Sequence, residues 1–528
     1  MTRGRSFWGW GDTDAALDAS EQRHLAERIG ELFEIPTPAI GPEPRLDDIA
    51  LRDPRVAPPD TLAALTTTDR FERALHAYGR SFRDVVRGRA GDFSHPPDLV
   101  ALPRNADDVA RLLDWCSDAR VAAIPFGGGS SVVGGVEPLV DDRYRGAVSL
   151  DMRLLDRVLD IDHESRAARI QAGVYGPALE DQLRPHGLTL RHYPQSFEFS
   201  TLGGWIATRS GGHYATLHTH IDDFVESITT VTPRGLLESR RLPGSGAGPS
   251  PDRLMLGSEG ALGVITEAWM RLSERPVFRA RASFRFPDFT TGAAAAQGIA
   301  QSGLHPSNCR LLDPVEAMVA GAGDGSSAVL LVGFESADHP VDVLLTRAEE
   351  LCSDHGSTRA DSTDRGERDE SSDAWRRTFL RAPYLRDALV GMGMLNETFE
   401  TSVTWDRFDD LHHDVTTTVR AALDEVGASR GVVTCRFTHV YPDGPAPYFT
   451  VIAPGRPGAQ LEQWATVKAA ASEALLRNGA TITHHHAVGR DHMPWYEEQR
   501  PPLFGEVLRS AKEALDPDGV LNPGVLVR

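Results

Sequence analysis

Three successive glycines that follow an apolar segment constrain this chain more than any other feature of its sequence. The segment 121–124, Val-Ala-Ala-Ile, indicates a buried strand, and the glycine loop follows it directly. This loop comprises Pro125, Phe126, Gly127, Gly128, Gly129, Ser130 and Ser131. Successive glycines allow a tight turn that exposes backbone N–H groups, and the serine hydroxyls add donors. The loop therefore predicts a concave anion site, and the alternative is an ordinary flexible turn.

The spacing of the glycine loop disfavours two common nucleotide-binding folds. It lacks the GxGxxG spacing of a Rossmann dinucleotide site and the lysine of a P-loop. Three later segments, 194–205, 208–212 and 256–266, also mix glycine with small hydroxyl residues beside apolar runs. Such segments let a large planar ligand approach the backbone closely.

Length and charge limit the classes of protein to consider. A chain of 528 residues is expected to form roughly two or three domains. Its net charge of −20 disfavours nucleic acid and anionic membrane as partners, although peripheral membrane contact stays open. The four cysteines form no CxxC pair, so the sequence predicts neither a disulfide framework nor a zinc site. Without a signal peptide or long apolar span, we expect a cytoplasmic protein.

The pattern of apolar residues predicts an α+β fold built from several segments. Helices are expected over Ala15–Phe33 and Thr66–Val86, and Asn105 is expected to cap a helix with one apolar face. The predicted domains are an N-terminal helical segment (1–94), a first domain (95–275), a second α+β domain (276–475) and a closing segment (476–528).

The histidines His484, His485 and His486 form the first candidate catalytic group. They end a segment that resembles a strand, where alternate side chains share a face, so His484 and His486 are expected to point together. Converging imidazoles serve proton transfer or hold an anion. The alternatives are a metal site, a chance run and a solvated run. No carboxylate or cysteine stands at a suitable spacing nearby, so no metal is predicted.

A tyrosine and two arginines complete the candidates. Tyr441 ends an apolar strand, where a tyrosine is usually part of the core. It could act as an acid or base if positive charge lowered its pKa, and Arg436 and the histidines are the candidate neighbours. Arg310 and Arg386 are candidate cations, with a surface salt bridge as the alternative for each.

Taken in order, these motifs resemble one family. The sequences GGGSS, STLGGWIATRSGG, GSEGALGVIT and LNPG are similar to those of vanillyl-alcohol-oxidase-type FAD-binding flavoproteins. Residues 231–235, residues 400–403 and the three histidines resemble the alkylglycerone phosphate synthase branch in particular. The resemblance runs from about Phe7 to the C-terminus. It implies the two-subdomain FAD-binding fold of that family, a second α+β cap domain for substrate and a helical N-terminal segment.

The resemblance also implies which residues bind the cofactor. Non-covalent FAD is expected, because the glycine loop contains neither His nor Cys. Gln195 departs from the pattern, since an aspartate is expected there. Besides the glycine loop, the implied FAD contacts are Gln195, Ser196, Phe197, Glu198, Phe199, Ser200, Thr201, Thr208, Arg209, Ser210, Gly211, Glu259, Gly260, Ala261, Leu262, Gly263, Val264 and Ile265.

The implied activity exchanges the acyl group of acylglycerone phosphate for a fatty alcohol. By resemblance, Tyr441 transfers the proton, the three histidines lie in the active site, Arg310 supplies supporting charge and Arg386 binds the substrate phosphate. The alternatives are an FAD-linked oxidase or dehydrogenase of a 2-hydroxy acid such as D-lactate or glycolate, and a flavin-binding module without catalysis. We expect a homodimer. The C-terminus carries no peroxisomal tripeptide, which favours a bacterial cytoplasmic protein.

Overall fold

The N-terminal segment is helical, with boundaries set by side-chain caps. The computed structural model describes residues 4–212, 214, 216–359 and 370–527, with only the backbone described for 370–380. The segment contains α1 (Ala19–Phe33), β1 (Thr66–Thr67), α2 (Arg70–Leu75) and α3 (Phe82–Arg89). The first helix begins at Ala19 rather than at the predicted Ala15, because the Asp18 side chain caps it at that point.

The single helix predicted over Thr66–Val86 is wrong, because the chain breaks between α2 and α3. Ser81 caps α3, and just before it the backbone N–H of Arg80 donates to the Ser131 carbonyl at 2.5 Å. A Cβ on Gly79 would lie 2.3 Å from the same oxygen, so a glycine is needed at this approach. The break therefore brings the N-terminal segment against the glycine loop.

A mainly parallel sheet carries the glycine loop. Its elements are β2 (Leu99–Ala101), α4 (Ala106–Ala119), β3 (Val121–Phe126) and β4 (Gly146–Asp151). The strand order is β1–β2–β4–β3, with β2 and β3 parallel to β4. Asn105 caps α4 as predicted, and the buried residues Val109, Leu112, Leu113 and Cys116 confirm its apolar face. The glycine loop leaves the carboxyl end of β3.

An antiparallel sheet packs beside the first. Along the chain its region contains β5 (Val158–Asp162), β6 (Ala167–Gln171), α5 (Gly176–Leu183), β7 (Leu188–Thr189), α6 (Leu202–Thr208), β8 (Val225–Thr232), β9 (Gly235–Glu238), α7 (Pro251–Met255), β10 (Val264–Arg271) and β11 (Ser273–Glu274). The strand order is β5–β6–β10–β8–β9, and β7 pairs with β11. Leu202, Trp205 and Ile206 on α6 are buried in the core of this layer.

A second antiparallel sheet forms the cap domain. Its elements are β12 (Phe278–Phe286), α8 (Phe289–Gln301), β13 (Asn308–Leu312), α9 (Pro314–Val319), β14 (Ala328–Ser336), α10 (Asp342–Asp354), β15 (Thr358–Arg359), α11 (Glu370–Gly391), β16 (Met394–Glu400), α12 (Trp405–Glu425), β17 (Val432–Val440), β18 (Pro445–Pro454) and α13 (Gln460–Arg477). The strand order is β15–β12–β14–β13–β17–β18–β16. No helix among the described residues is long and apolar enough to cross a membrane.

A bulge in β17 separates two side chains that alternation would place on one face. The pairing with β18 shifts register between Phe437 and His439. Phe437 packs against Phe289 and Phe408, on the helical side of the sheet. The bulge lets His439 point instead toward Gly212, whose carbonyl lies 3.0 Å from its Nε2. An irregularity of one residue thus places an imidazole in the candidate active site.

The closing segment returns from the cap to the first domain through α14 (Met493–Gln499) and α15 (Pro502–Leu515). Leu521 forms a parallel bridge with Ala123 on β3. The Asn522 amide donates to the carbonyls of Gly135 at 3.0 Å and Glu259 at 2.7 Å. The LNPG motif therefore fastens the C-terminus beside the glycine loop. The predicted domain boundaries remain predictions.

The buried carboxylate of Asp151 yields a stability prediction. Burial raises its pKa, but the hydrogen bond from His76 and the charge of Arg153 outweigh burial and lower it to about 2. Asp151→Asn should destabilise the fold by about 3 kcal/mol at neutral pH, because the charge of Arg153 and the hydrogen bond of His76 lose their buried carboxylate partner. A lowered pKa stabilises above the ordinary value of 3.8, and that contribution is lost as pH falls toward 2.

Urea unfolding of wild type and variant at pH 7 and near pH 3 measures this difference. The exposed Asp141, which pairs with the exposed Arg143, gives the control variant Asp141→Asn, whose stability should stay close to that of wild type at both pH values. A difference between Asp151→Asn and wild type that stays constant with pH would contradict the role of this charge.

Candidate functional site

The glycine loop presents backbone donors that the protein itself does not use. Within the described chain, none of the N–H groups of residues 127–130 donates to a protein acceptor. Gly129 adopts a left-handed conformation, with φ of 70°. A Cβ on Gly128 would lie 1.7 Å from the Phe199 carbonyl oxygen. The loop is therefore a preformed cradle of free N–H groups, and this donor set fits the pyrophosphate of FAD.

Arg5 supports this cradle, and the sequence offered no signal for it. Its guanidinium donates to the Gly128 carbonyl at 2.6 Å and to the Tyr175 hydroxyl at 2.8 Å. The hydrogen bond fixes the loop from its carbonyl side and leaves the N–H side open. Arg5 also places a positive charge next to the predicted anion site, where it favours a phosphate.

The segment 195–201 forms the wall opposite the glycine loop. Phe199 approaches Gly128, and the Thr201 hydroxyl would lie 2.3 Å from a Cβ on Gly127. Thr201 also caps α6, because its oxygen accepts from the N–H of Gly204 at 3.3 Å. The Ser200 hydroxyl accepts from the Trp205 indole at 2.6 Å. Direct FAD contacts by all residues of 195–201 remain predictions.

The predicted contacts at 208–211 lie between the cradle and a cluster of histidines. Arg209 forms an ion pair with Asp222 at 2.8 Å, and the Ser210 hydroxyl lies 2.8 Å from His192. Thr208 donates to the Gly204 carbonyl at 2.8 Å. These side chains therefore have protein partners, and contacts of residues 208–211 with FAD remain predictions. A Cβ on Gly211 would lie 3.0 Å from the His439 ring.

The buried carboxylate of Glu259 joins the first domain to the closing segment. It accepts from the backbone N–H groups of Val488 at 2.9 Å and Gly489 at 2.8 Å. Burial raises its pKa to about 7. A Cβ on Gly263 would meet Thr230, so that glycine serves strand packing. Contacts of residues 259–265 with FAD remain predictions.

Tyr441 and His484 form the centre of the candidate catalytic cluster. The tyrosine oxygen lies 2.7 Å from His484 Nε2 and 3.0 Å from the Thr219 hydroxyl. His484 Nδ1 lies 3.0 Å from His485 Nδ1, and His484 Nε2 lies 3.1 Å from His220 Nε2. A phenol within hydrogen-bond distance of a buried imidazole is an arrangement suited to proton transfer.

The expected strand at the three histidines is wrong, because residues 481–486 form a bent loop. The physical reason is the carboxylate of Glu400, at the end of β16. It accepts the backbone N–H groups of His484 at 2.5 Å, His485 at 3.1 Å and His486 at 2.8 Å. The Thr483 hydroxyl adds a fourth donor at 2.6 Å. Glu400 was recognised only as part of a motif, and its distance along the chain concealed this role.

Two arginines expected in the site border the cluster from the cap domain. Arg310 is buried on β13, and burial, with the nearby charge of Arg436, lowers its pKa to about 9. Burial is the main cause that lowers the pKa of His439 and His485, and the charge of Arg310 adds to it. Arg386 on α11 donates to Thr398 at 2.7 Å and Asn396 at 3.3 Å. These acceptors are neutral, so Arg386 keeps its positive charge available for an anion.

The expectation that positive charge from Arg436 lowers the pKa of Tyr441 is wrong. Burial is the dominant effect, and it raises the Tyr441 pKa above its ordinary value of 10.0. Arg436 pairs instead with Glu316 and lies over the Tyr448 ring, 3.9 Å from its centre. Burial also lowers the pKa of His484 well below its usual range, which leaves a neutral imidazole beside the phenol.

Some of these side chains could also approach a metal ion. The ligand atoms of His439, His484 and His485 lie within 4.8 Å of one another, as do those of Glu400, His485 and His486. The sequence missed the carboxylate because Glu400 lies far from the histidines along the chain. However, His484 Nδ1 and His485 Nδ1 are already hydrogen-bonded to each other, and a metal would require that bond to break. The absence of a metal remains a prediction.

Two protein-family models match this sequence. Residues 97–239 match the FAD binding domain, and residues 275–526 match the C-terminal domain of FAD linked oxidases. FAD is therefore the cofactor of this enzyme, and the glycine loop lies within the matched FAD domain. The predicted two-domain flavoprotein fold is confirmed.

Comparison with individual proteins narrows the choice among FAD-linked families. It is 33% identical over 87% of its length to an alkyldihydroxyacetonephosphate synthase of Dictyostelium discoideum, covering 78% of that protein. A solved alkyldihydroxyacetonephosphate synthase structure superposes with a TM-score of 0.82 at 29% identity, over 99% of this chain and 97% of that chain. Glycolate oxidase subunit GlcD of Bacillus subtilis (strain 168) is 26% identical over 87% of this chain and 97% of its own length.

The glycine cradle yields a prediction about cofactor retention. Gly128→Ala should reduce the FAD bound per purified chain at least about tenfold, because the new Cβ would collide with the Phe199 carbonyl and displace the loop. Absorbance of flavin against protein measures the ratio. Gly246→Ala is the control, since a Cβ there meets nothing within 4 Å. Full flavin content in Gly128→Ala would contradict the assignment of the cradle.

Proposed function

The chain belongs to the alkyldihydroxyacetonephosphate synthase family, and on that premise we propose that it exchanges the acyl group of acylglycerone phosphate for a fatty alcohol. The product would be an alkyl ether of glycerone phosphate, which is a precursor of ether lipids. The observation that supports the proposal most strongly is the 2.7 Å contact between Tyr441 and His484, beside two buried or partly buried arginines. It supplies proton transfer and anion binding at one site.

The proposed exchange balances without a net oxidation. The bond between the substrate carbon and the acyl oxygen breaks, and a bond between that carbon and the alcohol oxygen forms. The alcohol proton leaves with the released carboxylate or passes to solvent. When bound, FAD supplies an electron sink during the exchange, so no external electron acceptor is consumed.

The protein groups have separate tasks in this proposal. Arg386 binds the substrate phosphate, because its guanidinium is held in place by Thr398 and Asn396 without losing its charge. Arg310 adds positive potential. Tyr441 takes up and returns the proton at the reacting carbon, with His484 as its hydrogen-bond partner. Glu400 keeps the histidine loop in position for this transfer.

The attachment of the cofactor, the cellular setting and the oligomeric state are also proposals. We propose non-covalent FAD, a bacterial cytoplasmic setting and a homodimer, with peripheral membrane contact open. The long-chain substrates favour such a contact, because fatty alcohols partition into membranes.

Tyr441→Phe should lower turnover by about 100-fold or more, because the variant has no exchangeable proton on that ring. The holoenzyme is incubated anaerobically with acylglycerone phosphate and a fatty alcohol, and ether lipid is measured by mass spectrometry. The flavin spectrum serves as the control and should be unchanged in the variant. Reduction of the flavin by D-lactate or glycolate, with no ether formed, would favour the 2-hydroxy-acid dehydrogenase alternative.

Arg386→Gln should raise the KM for acylglycerone phosphate by about tenfold or more and leave the KM for the alcohol within about twofold, because one charged contact to phosphate is lost. The control is Arg381→Gln on the same helix, an exposed arginine that pairs with Glu21. Equal effects of both variants on KM would contradict the phosphate assignment.

A further inference from the structure

We propose that His220 is a positioning residue that holds His484 in the tautomer with its hydrogen on Nε2, where that hydrogen is shared between His220 Nε2 and the Tyr441 oxygen. His220 lies on the turn between α6 and β8, 264 positions before His484 in the chain. The inference rests on the proposed function for its catalytic meaning. Its structural part depends only on hydrogen bonds among described residues.

The protonation of His220 follows from its first partner. His220 Nδ1 lies 3.0 Å from the Arg209 carbonyl oxygen, which can only accept a hydrogen bond. The hydrogen must therefore sit on Nδ1. When His220 is neutral it carries only this one N–H, so its Nε2 has a free lone pair and accepts a hydrogen bond.

That acceptor determines the state of His484. His220 Nε2 lies 3.1 Å from His484 Nε2, so His484 must carry its hydrogen on Nε2 to donate to it. His484 Nδ1 is then an acceptor, and the Nδ1–H of His485, 3.0 Å away, satisfies it. Burial together with the neighbouring imidazoles keeps His484 neutral, since its pKa lies well below the usual range. One backbone carbonyl thus sets the tautomers along a chain of three imidazoles.

The tautomer of His484 determines which hydrogen bond the Tyr441 oxygen can receive. His484 Nε2 lies 2.7 Å from the tyrosine oxygen, and the Thr219 hydroxyl lies 3.0 Å from it. The single Nε2–H of His484 is therefore shared between His220 Nε2 and the tyrosine oxygen, and its hydrogen bond to the oxygen strengthens when Tyr441 ionises. Together with the hydrogen bond from Thr219, it counteracts the rise in Tyr441 pKa that burial causes. Without an acceptor at position 220, His484 could carry its hydrogen on Nδ1. A bare Nε2 would then accept the phenol hydrogen and would not donate to the phenolate.

Other charges and titratable groups also face this pair and have to stay constant in any test. Asp223, Glu400 and Asp443 act on Tyr441, and His192, His439 and His485 surround His220 and His484. None of them is changed when residue 220 alone is replaced. A change in the tautomer of His484 between variants at this position therefore reports the contact with residue 220.

Two variants of similar length separate positioning from packing. His220→Gln can place an amide oxygen near the position of Nε2, whereas His220→Met offers no oxygen acceptor there. Nitrogen-15 NMR of each holoenzyme, labelled at histidine, reports which ring nitrogen of His484 carries the hydrogen. Wild type and the Gln variant should show the hydrogen of His484 on Nε2, whereas the Met variant should show it partly or wholly on Nδ1, because no acceptor faces Nε2 from position 220.

The Met and Gln variants should also differ from each other in their kinetics. In the ether-forming assay the Met variant should lose about tenfold in kcat with KM within about twofold, and the Gln variant should recover most of kcat. Equal losses in both variants, with the tautomer of His484 unchanged, would reduce His220 to a packing residue and overturn the proposal. The NMR measurement needs no substrate, so a failure of ether formation in wild type would contradict the proposed function and leave this test intact.

Discussion

Two buried carboxylates hold one short loop by its backbone, and the rest of the site depends on this arrangement. Glu400, at the end of a cap strand, accepts the N–H groups of His484, His485 and His486. Glu259, in the FAD domain, accepts those of Val488 and Gly489. The loop between the two domains is thereby fixed along its backbone, and its imidazoles stay free to meet Tyr441 and the ligand. Such carboxylates are costly to bury unless their lone pairs are satisfied, as they are here.

The same loop contacts both the glycine cradle and the catalytic cluster, and it thereby joins them into one site. A Cβ on Gly489 would lie 2.2 Å from the Val133 carbonyl, just beyond the glycine loop. On its other side, His485 lies close to Gly211, which follows the helix capped by Thr201. The cofactor domain supplies free N–H donors for an anion. The cap supplies the Tyr441 phenol and the arginines, and the loop between the domains supplies the imidazoles of residues 484–486. Neither domain alone holds both kinds of chemistry.

Local patterns predicted much of this structure, and contacts between distant residues account for what they missed. The strand before the glycine loop, the Asn105 cap and the apolar face of α4 follow from short-range periodicity and capping. The break between α2 and α3, the bulge before His439 and the roles of Glu400, Arg5 and His220 depend on partners far away in sequence. A strand was expected at the histidines because alternation considers only neighbours, whereas the Glu400 carboxylate bends that segment into a loop. Site roles came from family resemblance rather than from any local signal.

A structure of the FAD-bound enzyme would test the central claim most directly. If the cradle and the cluster form one site, the pyrophosphate should accept hydrogen bonds from the N–H groups of residues 127–130, at about 3 Å. The flavin ring should lie between Gly211 and the side chains of Tyr441 and His484. A pyrophosphate bound elsewhere, or a flavin ring with no contact to the Tyr441–His484 pair, would contradict the account.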